Sequence, residues 1–177
     1  MQITSWSVKM LLITADIHSS TTALKAITDI ARSKKVKQVL IAGDLCPSTD
    51  PLFMHYLKRL PNLTLVRGNS DNTYHFAQAR MNLPPLVQTL AYQGRTITLT
   101  HGHIEVPFAV GGVVVTAHTH IPHLHEDEKG TLWVNPGSPS TPRSDSGPTY
   151  ALLDSEGVGI YHLNDHSLLL YHRFTSS

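Results

Sequence analysis

The chain of 177 residues contains a single cysteine, Cys46, so it cannot form an internal disulfide. Proteins of oxidising compartments often rely on disulfides, whereas an isolated thiol is typical of a reducing compartment. The sequence also lacks any apolar run close to the roughly 20 residues that span a bilayer. Its first residues lack the cleavage pattern of a signal peptide. These absences predict a cytoplasmic protein with no membrane partner.

The sequence has no excess of one charge, because 14 Lys and Arg face 13 Asp and Glu. A protein dedicated to nucleic acids needs clustered positive charge, so the balance argues against a nucleic-acid partner. The one short basic run, RSKKVK over residues 32–37, is interpreted as a solvated helix end, where cations favour the helix dipole. The oligomeric state is left open, a homo-oligomer included.

Histidine, in contrast, is abundant, with 12 residues. It is the commonest transition-metal ligand in proteins, so the positions of these side chains become the central question. Hydrophobic residues make up 41% of the chain, which is enough for a sizeable core. The length predicts one domain over residues 1–177. Residues 1–8 precede the first predicted strand and are treated as an N-terminal extension without an assigned role.

The first half of the chain alternates apolar strands with amphipathic helices. The runs MLLITAD (residues 10–16) and QVLIAGD (residues 38–44) are typical of buried parallel strands, and each ends in a carboxylate. Apolar residues recur at helical spacing over residues 20–35, and Asp50-Pro51 begins a second helix. A third strand is predicted in LTLVRGNSD. This order predicts a parallel sheet with right-handed crossovers.

The second half consists mainly of short strands. The segments LVQTLAY and RTITLTHGH, joined by Gln93-Gly94, predict a hairpin. VVVTAHTH, TLWVNPGS, TYALLD, GVGIYHL and SLLLYHRF follow as further strands. The sequence therefore predicts an α/β (α+β) fold in which two sheets form a β-sandwich flanked by helices.

Polar side chains follow the predicted strands where the strands end. They are Asp16, His18, Asp44, Asn69, Asp71, His101, His103, His118, His120, Asn135 and Ser138. Ligand sites of parallel α/β sheets form beyond the carboxyl ends of the strands, so these side chains are expected at one edge. Each short motif alone fits a turn or a strand edge equally well. The ordered set predicts a functional site.

Seven of these side chains offer nitrogen or oxygen atoms suited to Mn, Fe, Zn or Ni rather than to a thiolate site. The candidates are Asp16, His18, Asp44, Asn69, His101, His118 and His120. Seven ligands exceed what one tetrahedral ion with an open position needs. They suit two ions about 3.5–4 Å apart that share a bridging carboxylate.

The series DIH, GD, GNSD, HGH, AHTH and NPGS resembles the calcineurin-like metallophosphoesterase superfamily, and in particular its compact bacterial phosphodiesterase branch. The resemblance implies a helix-flanked β-sandwich and hydrolysis of a small phosphoester by a hydroxide that bridges two divalent ions. Manganese is expected first, with Fe, Zn or Ni as alternatives. The resemblance assigns Asp16, His18, Asp44 and His120 to one ion and Asp44, Asn69, His101 and His118 to the other. Asp71 and His103 would be supporting or substrate-facing groups.

Three positions depart from the family pattern. Many members carry histidine after Gly-Asn, where it contacts phosphate and can protonate the leaving group, but this chain has Ser70. Ala117 stands where glycine is usual. Only 14 residues separate His103 from His118, which leaves no room for the helix that relatives commonly carry there. Ser70, Asp71 and His103 are the candidate catalytic residues, and with serine in this position the general acid is an open question.

Two alternative functions remain at this stage. A non-catalytic scaffold of the same fold would be expected to have lost ligands, whereas no candidate ligand is replaced here. A nuclease would use the same reaction class but needs a basic groove, which the sequence does not suggest. The sequence thus favours a metal-dependent phosphodiesterase or phosphatase.

Overall fold

The computed structural model describes residues 10–175, which form two sheets and three helices. In chain order the elements are β1 (Leu11–Thr14), α1 (Thr21–Ser33), β2 (Gln38–Ala42), α2 (Pro51–Leu57), β3 (Thr64–Val66), α3 (Thr73–Gln78), β4 (Val87–Tyr92), β5 (Arg95–Thr100), β6 (Val113–Val115), β7 (His123–Glu126), β8 (Leu132–Asn135), β9 (Thr149–Leu153), β10 (Gly157–His162) and β11 (Leu168–Arg173). No helix of this part of the chain is long and apolar enough to cross a membrane.

Each sheet combines three parallel strands with antiparallel ones: in the six-stranded sheet the parallel strands form one side, and in the five-stranded sheet they form the centre. The six-stranded sheet has the order β11-β10-β9-β1-β2-β3, with β1, β2 and β3 parallel. The five-stranded sheet has the order β4-β5-β6-β8-β7, with β5, β6 and β8 parallel. The loops that follow the parallel strands of the two sheets can therefore lie close together.

The sandwich core depends on the two-residue period of the strands. Ile13 and Leu40 point between the sheets and pack with Val115 from the opposite sheet. Their neighbours Leu12 and Ile41 point outward, under the helices. Both faces of β1 and β2 are thus buried, which explains why these strands are continuously apolar.

The helices cover the outer face of the six-stranded sheet. The buried face of α1 includes Leu24 and Ile27, as helical spacing predicted. Each helix begins at a side chain that accepts a backbone N–H, namely Ser20 for α1, Asp50 for α2 and Asn72 for α3. Such caps satisfy donors that the first turn leaves unpaired.

Most predicted elements are confirmed. The hairpin pairs Tyr92 with Arg95, and Gln93 and Gly94 both have positive φ, as a two-residue primed turn requires. Residues 104–112 contain no helix, in agreement with the short spacing before β6. The sequence missed α3 and β7. α3 is six residues long with only Phe76 buried, and β7 has three exposed residues of four, so neither has an apolar pattern to detect.

The N-terminal extension predicted over residues 1–8 lies outside the described residues. That all 177 residues form one domain stays a prediction.

Candidate metal centre

The candidate ligands lie in the loops that leave the carboxyl ends of parallel strands. Asp16 and His18 follow β1, Asp44 follows β2, and Asn69 follows β3. His101 follows β5, and His118 and His120 follow β6. Backbone hydrogen bonds run between neighbouring loops, from Asp16 N to Gly43 O and from Ala117 N to His101 O, both at 3.0 Å. The site therefore lies at the seam where both sheets end.

Five of the seven candidate ligands have a left-handed backbone. They are Asp16, His18, Asp44, His118 and His120, with φ values of 52°, 47°, 49°, 69° and 61°. This conformation costs roughly 1–2 kcal/mol for a residue other than glycine, and such strain is typical of functional sites. The segment VVVTAHTH was predicted as one strand, but β6 ends at Val115, so His118 and His120 lie in the loop after it. Ala117 does not have positive φ, so its methyl group is tolerated there.

Two buried carboxylates form the centre of the cluster. Asp16 Oδ1 lies 3.3 Å from Nε2 of His120 and 3.8 Å from Nε2 of His18. Asp44 Oδ2 lies 3.6 Å from Nε2 of both His18 and His101. Ligand atoms of Asp16, His18 and His120 lie within 4.8 Å of one another, as do those of Asp16, Asp44 and His101. The structure therefore brings five predicted ligands into two overlapping groups.

The other two predicted ligands lie at the solvent-facing side of the cluster. Asn69 is exposed, and its Oδ1 is 3.0 Å from Nε2 of His101. His118 is exposed as well, and its ring centroid lies 5.2 Å from that of His101. The His103 ring lies 5.3 Å from the His101 ring and 6.3 Å from the His118 ring. All seven predicted ligands thus gather at one place, with His103 beside them.

The histidine tautomers follow from their backbone partners. His101 Nδ1 lies 2.8 Å from the carbonyl oxygen of Ala42, and His120 Nδ1 lies 2.7 Å from that of Thr141. A carbonyl only accepts, so each Nδ1 carries the proton and each Nε2 presents a lone pair. A partner of this kind on the far nitrogen is typical of metal-binding histidines.

Not all of the acceptor atoms that converge here have a donor. Nε2 of His18 and Nε2 of His120 face each other at 3.4 Å. Asp16 Oδ1 is buried and has no hydrogen-bond partner within residues 10–175. A buried oxygen without a donor is costly unless a cation satisfies it. The donor set and the orphaned oxygen therefore fit divalent metal ions.

The three predicted catalytic side chains occupy different places. Asp71 is buried, and its carboxylate accepts N–H groups of Cys46 and Gly68, each at 2.8 Å. It holds two loops together, which fits a supporting role. Ser70 donates its N–H and its hydroxyl to the two Asp44 oxygens at 2.8 and 2.9 Å. His103 is half-buried, and its Nδ1 has no partner among the described residues.

The end of β8 and the loop after it contribute residues expected from the sequence together with two, Ser140 and Arg143, that the sequence did not single out. Ser138 was expected at this edge, and its hydroxyl donates to Asp16 O at 2.8 Å, as does that of Ser140. Arg143 is exposed, and its backbone N–H donates to His120 O at 3.3 Å. Asn135 fastens the β6 loop through bonds to Ala117 O and Thr119 Oγ1, both at 3.0 Å. The only sequence signal for Arg143 is its position shortly after NPGS.

Burial dominates the electrostatics of the site. It raises the pKa of Asp16 to about 8, and the charge of Asp44 acts in the same direction. The His118 N–H and the charge of Arg143 partly oppose this shift in the pKa of Asp16. Burial lowers the pKa of His101 and of His120, so both rings are neutral and able to bind a metal near pH 7.

We expect the metal-free protein to lose stability as the pH rises from 6.5 to 8. The folded protein keeps the Asp16 proton up to about pH 8, whereas an unfolded chain releases it near pH 4. The folded state therefore binds more protons, and unfolding becomes easier as the pH increases. Below pH 6.5 the lowered pKa values of His101 and His120 act in the opposite direction. Denaturant unfolding between pH 6.5 and 8 measures the effect.

The matched control is Asp16→Asn, which keeps the shape of the side chain but does not titrate. Its metal-free form should have a flatter stability profile over this pH range and be more stable at pH 8. An identical slope in both proteins would contradict the assignment of the effect to Asp16.

Comparison with known proteins adds an independent line of evidence. Residues 10–157 match the family model of the calcineurin-like phosphoesterase superfamily domain. The phosphodiesterase YfcE of Escherichia coli K12 is 26% identical over 176 residues, which cover 90% of this chain and 95% of YfcE. The structure of E. coli YfcE, a phosphoesterase, superimposes with a TM-score of 0.81 at 23% identity over 94% of this chain and 100% of that one.

An archaeal phosphodiesterase has the same fold, with a TM-score of 0.69 at 20% identity, covering 90% of this chain and 99% of its own. The extent of the family match, together with the six motifs it includes, confirms the resemblance seen in the sequence. The chain belongs to the calcineurin-like phosphoesterase superfamily and is a metal-dependent phosphoesterase.

Proposed function

We propose that this phosphoesterase is a phosphodiesterase that holds two divalent ions with the Asp44 carboxylate between them. The observation that carries the proposal is the position of Asp44 Oδ2, 3.6 Å from Nε2 of both His18 and His101. Two cations repel each other, and an anionic oxygen between them offsets that repulsion. Asp16 Oδ1 is nearer to His120, at 3.3 Å, than to His101, at 3.9 Å, which favours Asp44 for the shared position.

We propose the ligand partition that the family resemblance implies, which these distances support for five of the seven side chains. Asp16, His18, Asp44 and His120 would hold one ion, and Asp44, Asn69, His101 and His118 would hold the other. Nitrogen and carboxylate ligands suit Mn, Fe, Zn or Ni, and we propose Mn first. When bound, such a pair makes hydroxide available near neutral pH and neutralises charge on the phosphate. A scaffold without catalysis would be expected to lack some of these side chains, and all seven are present.

The substrate class is a small phosphodiester. The name of YfcE and that of the archaeal neighbour both describe phosphodiesterases. In this chain Ser70 is bound to Asp44 and orients that carboxylate, but a serine cannot supply a proton near neutral pH. His103 lies beside the cluster, is not a proposed ligand and has no partner on Nδ1 within residues 10–175, and we assign proton delivery to it.

Arg143 supplies the positive charge that faces the phosphate. Its charge affects the pKa of both Asp16 and His120, so it lies near the proposed first ion. Its backbone is fastened to His120, and it has no ion pair within residues 10–175. An exposed guanidinium without a carboxylate partner is suited to two phosphate oxygens.

The first test of the proposal is Asp44→Asn. Asparagine keeps the shape and can accept the Ser70 N–H, but it lacks the charge that holds two cations together. We expect the Mn content to fall from two ions per chain to one or none. Turnover of bis(p-nitrophenyl) phosphate should fall about 10²-fold or more, with an unchanged circular dichroism spectrum. Asp145→Asn, in an exposed loop position, should match the native enzyme. Near-native turnover of Asp44→Asn at saturating Mn would exclude Asp44 as the bridge.

The second test concerns Ser70. His103 lies beside the cluster and not at position 70, so we expect its proton delivery to be weak and esters with acidic leaving groups to react much faster than alkyl esters. Ser70→His should raise turnover most for the poorest leaving groups, since general acid catalysis contributes about 10²–10⁴-fold. Ser70→Ala is the control, because it removes the hydroxyl bond to Asp44 without adding an acid. A flat dependence on leaving-group pKa in the native enzyme, or equal effects of both variants, would contradict this explanation.

The third test concerns Arg143. A charge-assisted hydrogen bond contributes about 1.5–3 kcal/mol, so Arg143→Gln should lower kcat/KM by about 10–100-fold. The Mn content should stay unchanged, because Arg143 is not a ligand, and added guanidinium ion should restore part of the activity. Arg173→Gln, exposed on β11, should behave as the native enzyme. Loss of Mn, or no rescue by guanidinium, would indicate a structural role for Arg143.

A further inference from the structure

A cavity lies away from the metal centre, between α1 and α2. Its volume is about 680 Å³, and it is lined by the charged side chains Lys25, Asp29, Arg32, Lys35, Lys37 and Arg59, together with His55 and Tyr56. We call it the basic groove. The five residues of β2, about 16 Å of extended chain, separate Lys37 from the loop that carries Asp44. The groove is therefore distinct from the catalytic site.

The basic groove concentrates the positive charge of the protein. It holds five of the 14 Lys and Arg residues and one carboxylate, whereas the whole chain carries a net charge of +1. Asp29 already contacts Lys25 at 2.6 Å and Arg32 at 3.1 Å. Lys35, Lys37 and Arg59 have no carboxylate partner within residues 10–175. The groove thus carries a net charge of +4 on the side chains that line it.

The helix ends do not account for this charge. α1 ends at Ser33 and α2 ends at Leu57, and both ends adjoin the groove. Cations near such ends are stabilised, because each end is equivalent to about half a negative charge. The two ends together offset about one of the four net positive charges. The remaining cations repel one another, and an anion bound between them would relieve that repulsion.

We propose that the basic groove binds a small molecule that carries two or more phosphate groups, as a nucleoside triphosphate does. Small-molecule sites usually measure about 300–1,000 Å³, which includes this cavity, and a concave groove does not fit a flat membrane surface. Linked phosphates supply closely spaced negative charges that match the cations from α1, α2 and the segment before β2. The exposed ring of His55, which packs edge-on against Tyr56 at 5.4 Å, offers a surface for a planar base.

The test is equilibrium dialysis of ATP and of inorganic triphosphate, each with excess Mg²⁺, against the metal-loaded enzyme. The groove variant is Lys37→Gln/Arg59→Gln. Its matched control is Lys129→Gln/Arg173→Gln, two exposed residues outside the groove whose replacement changes the net charge equally. We expect the groove variant to bind about tenfold more weakly or worse, and the control to stay within about twofold of the native enzyme. Equal weakening in both variants would overturn the proposal.

Two further measurements identify the site that binds ATP and the class of ligand that the basic groove takes. Asp44→Asn should bind ATP as the native enzyme does, because its groove is intact. Loss of ATP binding in Asp44→Asn together with retention in the groove variant would assign the ligand to the metal centre and overturn the proposal. A single-stranded oligonucleotide provides the other measurement. If it binds more tightly than ATP and loses affinity in the groove variant, the groove is a nucleic-acid site and the small-molecule assignment is wrong.

Discussion

The structure of the site depends on one electrostatic constraint: two carboxylates, Asp16 and Asp44, are buried close together without a neutralising side chain between them. Burial and mutual repulsion both raise the pKa of Asp16, to about 8. The arrangement is unfavourable for an isolated polypeptide, and cations would relieve it. The surrounding groups fit this constraint, because His101 and His120 are held as neutral rings with lone pairs directed inward. Burial, tautomers and the left-handed loops therefore serve a single purpose, the binding of divalent metal.

The backbone at the site also adopts conformations that its residues disfavour. Non-glycine residues with positive φ occur at five of the seven proposed ligands. Their side chains leave the ends of β1, β2 and β6 and turn back toward a common point. The chain tolerates this because each loop is fastened by a hydrogen bond beyond its own strand, such as that from Ser138 to Asp16 O. Stable packing elsewhere in the sandwich offsets the local cost.

The sequence predicted the parts of this structure that depend on local pattern. Apolar runs ended by Asp16 and Asp44 are recognisable because burial on both faces of a parallel strand leaves no polar interruption. Arg143 escaped notice since its importance depends on a long-range contact with His120, 23 positions earlier in the chain. The basic groove was likewise hidden: the run at residues 32–37 suggested a solvated helix end, and nothing in the sequence indicated that Arg59 would join it.

The seven proposed ligands divide between the two sheets. Asp16, His18, Asp44 and Asn69 follow strands of the six-stranded sheet, whereas His101, His118 and His120 follow strands of the five-stranded sheet. With the proposed partition, each ion takes ligands from both. The metal pair would then be a cross-link as well as a cofactor, fastening the open edge of the sandwich much as a disulfide fastens a secreted domain. This chain has one cysteine and cannot form an internal disulfide. Metal coordination would instead provide the link between its two sheets.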